Sequence, residues 1–361
     1  MPLNFYIQTT VVLTYLYCVF IKKLELVHSI GDIFNLVDSA PTWSKELREK
    51  DVERQKNLLK PANSLGQLED IAVFLSSWGK KTMKDMEKIS TIVFAGNHGV
   101  CRQSINPFPQ EVTFQMVETF KLGKAAINKI CESNEINLEV IPIDLEKPTA
   151  DISIGRAMDE TEFIESFNIG LRTVSENMDL ITLGEMGIGN TTIASALCYY
   201  FFNNDVSSWV GPGTGSNQDQ VIHKGKIIER AVKTNRPGIV RPLDAGVSLG
   251  GREQAAICGA VVAAKHYSVP VILDGFICTA AVLPIFFERK DILDHCLFGH
   301  CSKEPGHQLL LKMLNKKPIL RLDMALGEGS GAALATSIVK AAFKCHVEMA
   351  TFEDAGVSGK Q

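Results

Sequence analysis

The chain has no CxxC pair. Its nine cysteines are scattered through 361 residues, and Cys296 and Cys301 are the closest two. This spacing excludes a disulfide framework and a zinc ribbon, and suits reduced thiols in a cytosolic-type compartment. A basic excess is also missing: Lys plus Arg is 37, Asp plus Glu is 41, and the net charge is -4. A nucleic-acid binder normally shows a basic stripe, so that class is set aside, and any phosphate must be held by a local device. No repeat, low-complexity tract or long linker divides the sequence. No GxGxxG turn follows the first strand-like run, which excludes an NAD-dependent dehydrogenase. No glycine-rich loop ends in the Lys-Ser/Thr pair of a P-loop. What is present is a 45% hydrophobic, 22% charged composition, enough for a substantial core. The length allows one large domain plus a smaller one, or two ordinary domains.

Residues 1–21 carry no charge and are followed by Lys22 and Lys23. The run 11–21 is strongly apolar, and about 20 such residues could just span a bilayer. A basic leading segment and a small-residue cleavage site are both missing, so a secretory signal is excluded. Threonines and a glutamine weaken the span, which favours a packed helix or a misassigned coding start over membrane association through residues 1–21.

From about residue 24 to 78 the apolar spacing is helical, interrupted by a Pro-, Asn- and Gly-bearing loop at 58–66. The first convincing buried strand is 90–95 (STIVFA), ending in the turn Gly96-Asn97-His98-Gly99. Further strand-like runs are 138–143, 180–183, 208–210, 269–273 and 319–322. Helical stretches such as 191–200, 222–232 and 253–265 separate them. Alternation of this kind implies an α/β fold with a doubly wound, mostly parallel sheet and helices on both faces. In such sheets ligands sit outside the C-terminal ends of the strands.

Four loops at those ends carry residues unusual for a structural turn. Residues 184–192 (GEMGIGNTT) pass from a strand into a helix. Small residues let a ligand approach the backbone, Asn190 or a following threonine can cap the helix, and its free N–H groups suit an anion. Taken alone, this turn reads equally as a plain tight turn. Residues 210–215 (VGPGTG) precede Lys224, a point charge within reach of a phosphate; by itself Lys224 reads more readily as a surface lysine. Residues 299–307 (GHCSKEPGH) offer the Ser302 hydroxyl, and the spacing of His295, His300 and His307 fits no common metal site. Residues 326–333 (LGEGSGAA) flank one carboxylate with glycines. Poor solvation there should raise the Glu328 pKa and make a usable base near neutrality, with a structural or capping glutamate as the competing role.

Taken together and in order, these segments resemble the nicotinate-nucleotide–dimethylbenzimidazole phosphoribosyltransferase family. The resemblance rests on residues 58–69 (LLKPANSLGQLE), 93–100 (VFAGNHGV), 108–115 (FPQEVTFQ), 184–192 and 211–215. It continues through 247–256 (VSLGGREQAA), 273–276 (LDGF), 302–307 (SKEPGH) and 326–333. It implies transfer of ribose 5-phosphate from nicotinate mononucleotide to 5,6-dimethylbenzimidazole or a similar base, with inversion at C1′ and an α-linked product. It implies Glu328 as catalytic base and Glu185 as a second pocket carboxylate. Gly187, Gly189, Asn190, Thr191 and Thr192, with Gly213, Lys224 and Ser302, take the phosphate and ribose side. Phe108, Met116 and Leu326 take the base-pocket wall, and His98 lies at the cleft. No metal or redox cofactor is required, and the family is usually a homodimer with its site near the interface.

The same resemblance implies a small helical domain built from both chain ends. The expected divisions are an apolar extension at 1–23, a helical segment at 24–85, an α/β catalytic domain at 86–335 and a completing helical segment at 336–361. Two positions depart from the family pattern: Asn97 stands where an aspartate is common, and 61–64 reads PANS in place of Pro-Pro-Gly-Ser. Asn97 is the one feature favouring a second reading, a degenerate relative that only binds nucleotides or azoles.

Overall fold

Seven consecutive buried residues form the central strand β1 (Ile89–Ala95), as expected for a parallel strand covered on both faces. The computed structural model describes residues 24–78, 85–213, 215 and 217–358. The apolar run at 1–21 lies outside the described residues, and among those described no helix is long and apolar enough to cross a membrane.

Five further strands complete one sheet: β2 (Asn137–Pro142), β3 (Leu180–Met186), β4 (Val271–Leu273), β5 (Cys296–His300) and β6 (Pro318–Leu320). Their order is β2-β1-β3-β4-β5-β6 and all the pairings are parallel. The chain reverses its direction of travel across the sheet between β1 and β3, so a crevice opens there beyond the C-terminal strand ends. The run 208–210 is not a strand. Asp205 Oδ1 accepts from Ser207 N at 2.9 Å and closes a 3-10 turn over Val206–Ser208 instead. Strand β5 was not foreseen, because its Gly and His break the β-branched pattern that marks a strand.

Three helices precede the sheet: α1 (Ile30–Asp38), α2 (Lys45–Asn57) and α3 (Gln67–Trp78). Helix α2 has almost no apolar stripe, so it docks through polar contacts on the last long helix, α14 (Ser330–Glu348). Arg54 donates to His346 O at 2.7 Å, and His346 Nε2 sits 3.0 Å from Asp51.

The crossovers supply α4 (Glu111–Lys121), α5 (Ala126–Ser133), α6 (Glu160–Thr173) and α7 (Asn190–Phe202). They continue with α8 (Gln218–Asn235), α9 (Pro242–Leu249), α10 (Arg252–His266), α11 (Phe276–Ala281), α12 (Leu283–Glu288) and α13 (Pro305–Met313). Helix α10 is buried on nearly every face. It crosses α6 at backbone contact: a Cβ on Gly170 would strike Ala256 O, and one on Gly259 would strike Phe167 O. This close approach fixes the N-terminus of α10, and with it Glu253, behind the crevice.

Candidate active site

The strand ends deliver side chains to one cavity of about 460 Å³. Strand β3 contributes Glu185 and the turn into α7; β4 leads to Asp274, β5 ends in His300, and the segment after β6 carries Leu326–Glu328. The walls are mainly apolar, with a few convergent polar groups, the usual make-up of a small-molecule site.

Backbone crossing places Glu328. Gly184 in β3 meets Gly329 so closely that a Cβ on Gly184 would overlap Gly329 N and the Glu328 carbonyl carbon. Glu328 N donates to Glu185 O at 3.0 Å, which ties the two carboxylate-bearing segments together. Glu328 itself adopts φ 68, the left-handed region that a non-glycine residue enters at a cost. Its side chain is only 5% exposed, and Oε2 has no hydrogen-bond partner. Burial pushes its pKa up to about 7, with an Ile127 N–H at the start of α5 opposing and the Asp274 charge adding to the rise.

Glu185 is buried more completely in its surroundings. Burial, then the charges of Asp274 and Glu253, raise its pKa well above the usual carboxylate range, and Asn190 Nδ2 donates to its Oε2. Burial and like charge thus weigh more heavily against ionising Glu185, while Glu328 titrates near neutrality. Two carboxyl groups in one pocket are pushed to different tasks.

At the other end of the cavity Lys224, on α8, is 2% exposed and donates to Thr191 Oγ1 at 2.7 Å. Burial lowers its pKa to about 8. Gly189 (φ 96) caps α7, and Gly189, Asn190 and Thr191 line the same cavity as Gly213 and Ser302, which puts the positive end of the α7 dipole there.

The structure thus gathers Glu328, Glu185, Gly187, Gly189, Asn190, Thr191, Gly213, Lys224, Ser302, Phe108, Met116 and Leu326 around one cavity. It does not bring Thr192 or His98 to the wall. Thr192 points into the core at 0% exposure. His98 lies behind Gly187, where its Nε2 is 3.2 Å from Glu253 Oε1 and both side chains are fully buried. Of the three histidines in the β5 region, His295 bonds Val261 O at 2.9 Å and His307 accepts from Ser302 N at 2.9 Å. His300 rests 3.5 Å from Asp274.

Asn106, Asp274 and Glu304 line the cavity without having been singled out in the sequence, and His300, weighed there only as a metal ligand, lines it too. Asp274 was signalled by its place directly after a buried apolar run, where a parallel strand ends. Its Oδ1 accepts from Ala332 N at 2.8 Å and so anchors the first turn of α14 beside Glu328.

A glycine-capped helix start and a buried lysine sharing one cavity with a buried carboxylate that keeps a free oxygen, at the switch point of a doubly wound parallel sheet, suit a nucleotide-using group transferase. A family model described as phosphoribosyltransferase matches residues 40–357. Relatives from Brucella anthropi and Brucella canis, both named nicotinate-nucleotide–dimethylbenzimidazole phosphoribosyltransferase, are 47% identical over 309 residues, covering 86% of this chain and 91% of theirs. The solved structure of CobT from Thermus thermophilus superposes with a TM-score of 0.81 at 34% identity, covering 87% of this chain and all of that one. A second structure from that organism, described as the phosphoribosyltransferase of the same name, gives 0.80 at 32% identity over 88% of this chain. The chain belongs to the nicotinate-nucleotide–dimethylbenzimidazole phosphoribosyltransferase family, and is a pentosyl-transferring enzyme.

Proposed function

We propose that the chain moves ribose 5-phosphate from nicotinate mononucleotide to 5,6-dimethylbenzimidazole or a similar base. The observation that carries this reading is Glu328: a buried carboxylate, pKa about 7, with Oε2 unpartnered at the cavity. One ring nitrogen of the incoming base attacks C1′ as Glu328 takes the proton from the other. The C1′–nitrogen bond to nicotinate breaks, and its electron pair leaves with the pyridine ring. Attack from the face opposite the leaving group inverts C1′ and gives α-ribazole 5′-phosphate. A base that kept its proton would become a cationic product, so a carboxylate poised near neutrality lowers the barrier.

Supporting the assignment of ends, Lys224, the Ser302 hydroxyl and the positive end of the α7 dipole, with Gly213 beside them, offer the charge and donor groups a 5′-phosphate needs. Phe108, Met116 and Leu326 offer apolar faces to a flat bicyclic base. Glu185, whose burial favours the protonated form, stands between the two ends as a polar contact, and His98 supports the turn from behind. The bridge Leu58↔Thr351 and the α2–α14 contacts support grouping 24–85 with 336–361 around a catalytic 86–335. Phe114 and Leu122, 55% and 65% exposed on and just after α4, the helix that brings Met116 to the cavity, support a dimer contact through that helix.

The test is nicotinate release from nicotinate mononucleotide, with and without 5,6-dimethylbenzimidazole. Base-dependent release of an α-linked product is expected. Binding without release would transfer support to a binding-only relative, the reading that Asn97 favours. Asn97 lies buried and donates to Leu145 O at 2.9 Å, which is a structural bond away from the cavity wall.

A further inference from the structure

The phosphate end contains an acid that the reaction scheme leaves unused. Glu304 stands at the start of α13 and lines the cavity. Its carboxylate accepts the Gly213 N–H. It packs on Gly211 so tightly that a Cβ there would collide with Oε2, and its own N–H donates to Ser302 Oγ at 3.2 Å. The acid therefore touches three parts of the anion site: the 211–213 loop, Ser302 and, electrostatically, Lys224.

Lys224 does not close on it. Nζ is held by Thr191, and among the described residues Glu304 has no ion-pair partner within 4.0 Å. The space between Lys224 and Glu304 is thus part of the cavity. The other ionisable groups packed around Glu304 are His307 on α13, His300 at the end of β5 and the exposed Lys303. His307 is neutral, its pKa pushed down to about 3 by burial and by the neighbouring His300. A dianionic phosphate placed against Lys224 and the Ser302 hydroxyl would meet a carboxylate at contact range. Two negative groups sharing a low-dielectric site cannot both stay ionised cheaply, and one proton between them turns repulsion into a charge-assisted hydrogen bond.

We propose that Glu304 binds the 5′-phosphate through a shared proton, so that nucleotide binding draws about one proton from solvent and couples nucleotide affinity to pH. This rests on the assignment of that end of the cavity to the phosphate. The proton comes from bulk water or buffer, lodges between a Glu304 oxygen and a phosphoryl oxygen, and returns when the product nucleotide leaves.

The experiment is calorimetric titration with nicotinate mononucleotide near pH 7 in two buffers of different ionisation enthalpy, for wild type and Glu304→Gln. The dependence of heat on buffer gives protons taken up. Lys224, with its pKa of about 8, adds about a tenth of a proton at that pH in the wild type, and a somewhat larger share in Glu304→Gln, which lacks the Glu304 charge that raises that pKa. Glutamine offers Nε2–H to the phosphate and keeps Oε1 for Gly213, so it reproduces the protonated acid without a proton to collect. Uptake of about one proton in the wild type, reduced in Glu304→Gln to the fractional share of Lys224, is expected. The affinity ratio of wild type to variant then falls about tenfold per pH unit once Glu304 is ionised in the empty site. That slope appears in KM for the nucleotide and not in KM for the base. No uptake in the wild type overturns the proposal whether or not the variant folds, and equal uptake in the two proteins overturns it as well. Failure of the wild type to bind the nucleotide at all strikes the phosphate assignment itself.

Discussion

Replacing Glu328 by glutamine separates what burial does for catalysis from what it does to stability. Moving a carboxyl from 4.5 to about 7 disfavours its ionised form by about 3 kcal/mol. The folded protein therefore keeps a proton on Glu328 over a window, roughly pH 4.5 to 7, in which the unfolded chain has lost it. Because the native state binds more protons there, wild-type stability falls as pH rises through the window, by about 3 kcal/mol in all. Glutamine has no proton to lose. It shares the left-handed backbone of Glu328, so the φ 68 strain cancels in the comparison. Denaturant unfolding of Glu328→Gln should gain on the wild type by up to about 3 kcal/mol between about pH 4.5 and pH 8.

Activity moves the other way. A positioned base contributes about 10²- to 10⁴-fold, so Glu328→Gln should lose at least about a hundredfold in kcat. Wild-type kcat/KM should fall about tenfold per unit below about pH 7, and that limb should be missing from the residual activity of the variant. The assay is nicotinate release at saturating base across pH. A variant within about tenfold of the wild type, or one that keeps the acid limb, would refute Glu328 as the base. A stability difference that does not change with pH would refute the account of its burial.

Three further outcomes follow from the same geometry. Lys224→Met removes a charge-assisted contact of about 1.5–3 kcal/mol, so KM for the nucleotide should rise about ten- to hundredfold with a smaller change in kcat. In the wild type, nucleotide KM should climb above about pH 8 as Lys224 loses its charge, a limb that steady-state titration will show missing in the variant. Gly184→Ala drives a methyl into the Gly329 and Glu328 backbone, which cannot yield as a side chain could; kcat should drop while nucleotide affinity, read by calorimetry, stays. His98→Ala empties a fully buried site packed against Glu253 and Gly187, and unfolding should show a loss of about 2–3 kcal/mol.

The strands with unbroken apolar runs were legible because burial on both faces leaves a continuous hydrophobic string, as at Ile89–Ala95. Strand β5 was not, since Gly299 and His300 are chosen by what lies against them. A Cβ on Gly299 would press on Ala332, and Gly331 has no room for one beside the His300 ring. The site divides the same way. Glu328 and the 184–192 turn stood out because glycines isolate a single polar group at a strand end. His98, by contrast, looks in sequence like a cleft residue, yet its partner Glu253 lies 155 positions onward and draws it behind Gly187. Glu304 was hidden for the opposite reason. In a polar run beside Lys303 it resembles a solvated loop acid, and only the packing of Gly211 on its carboxylate and the approach of Lys224 make it part of the cavity. Spacing along the chain reports which residues can be buried. It does not report which buried charges face one another, and in this pocket those pairings decide where the protons sit.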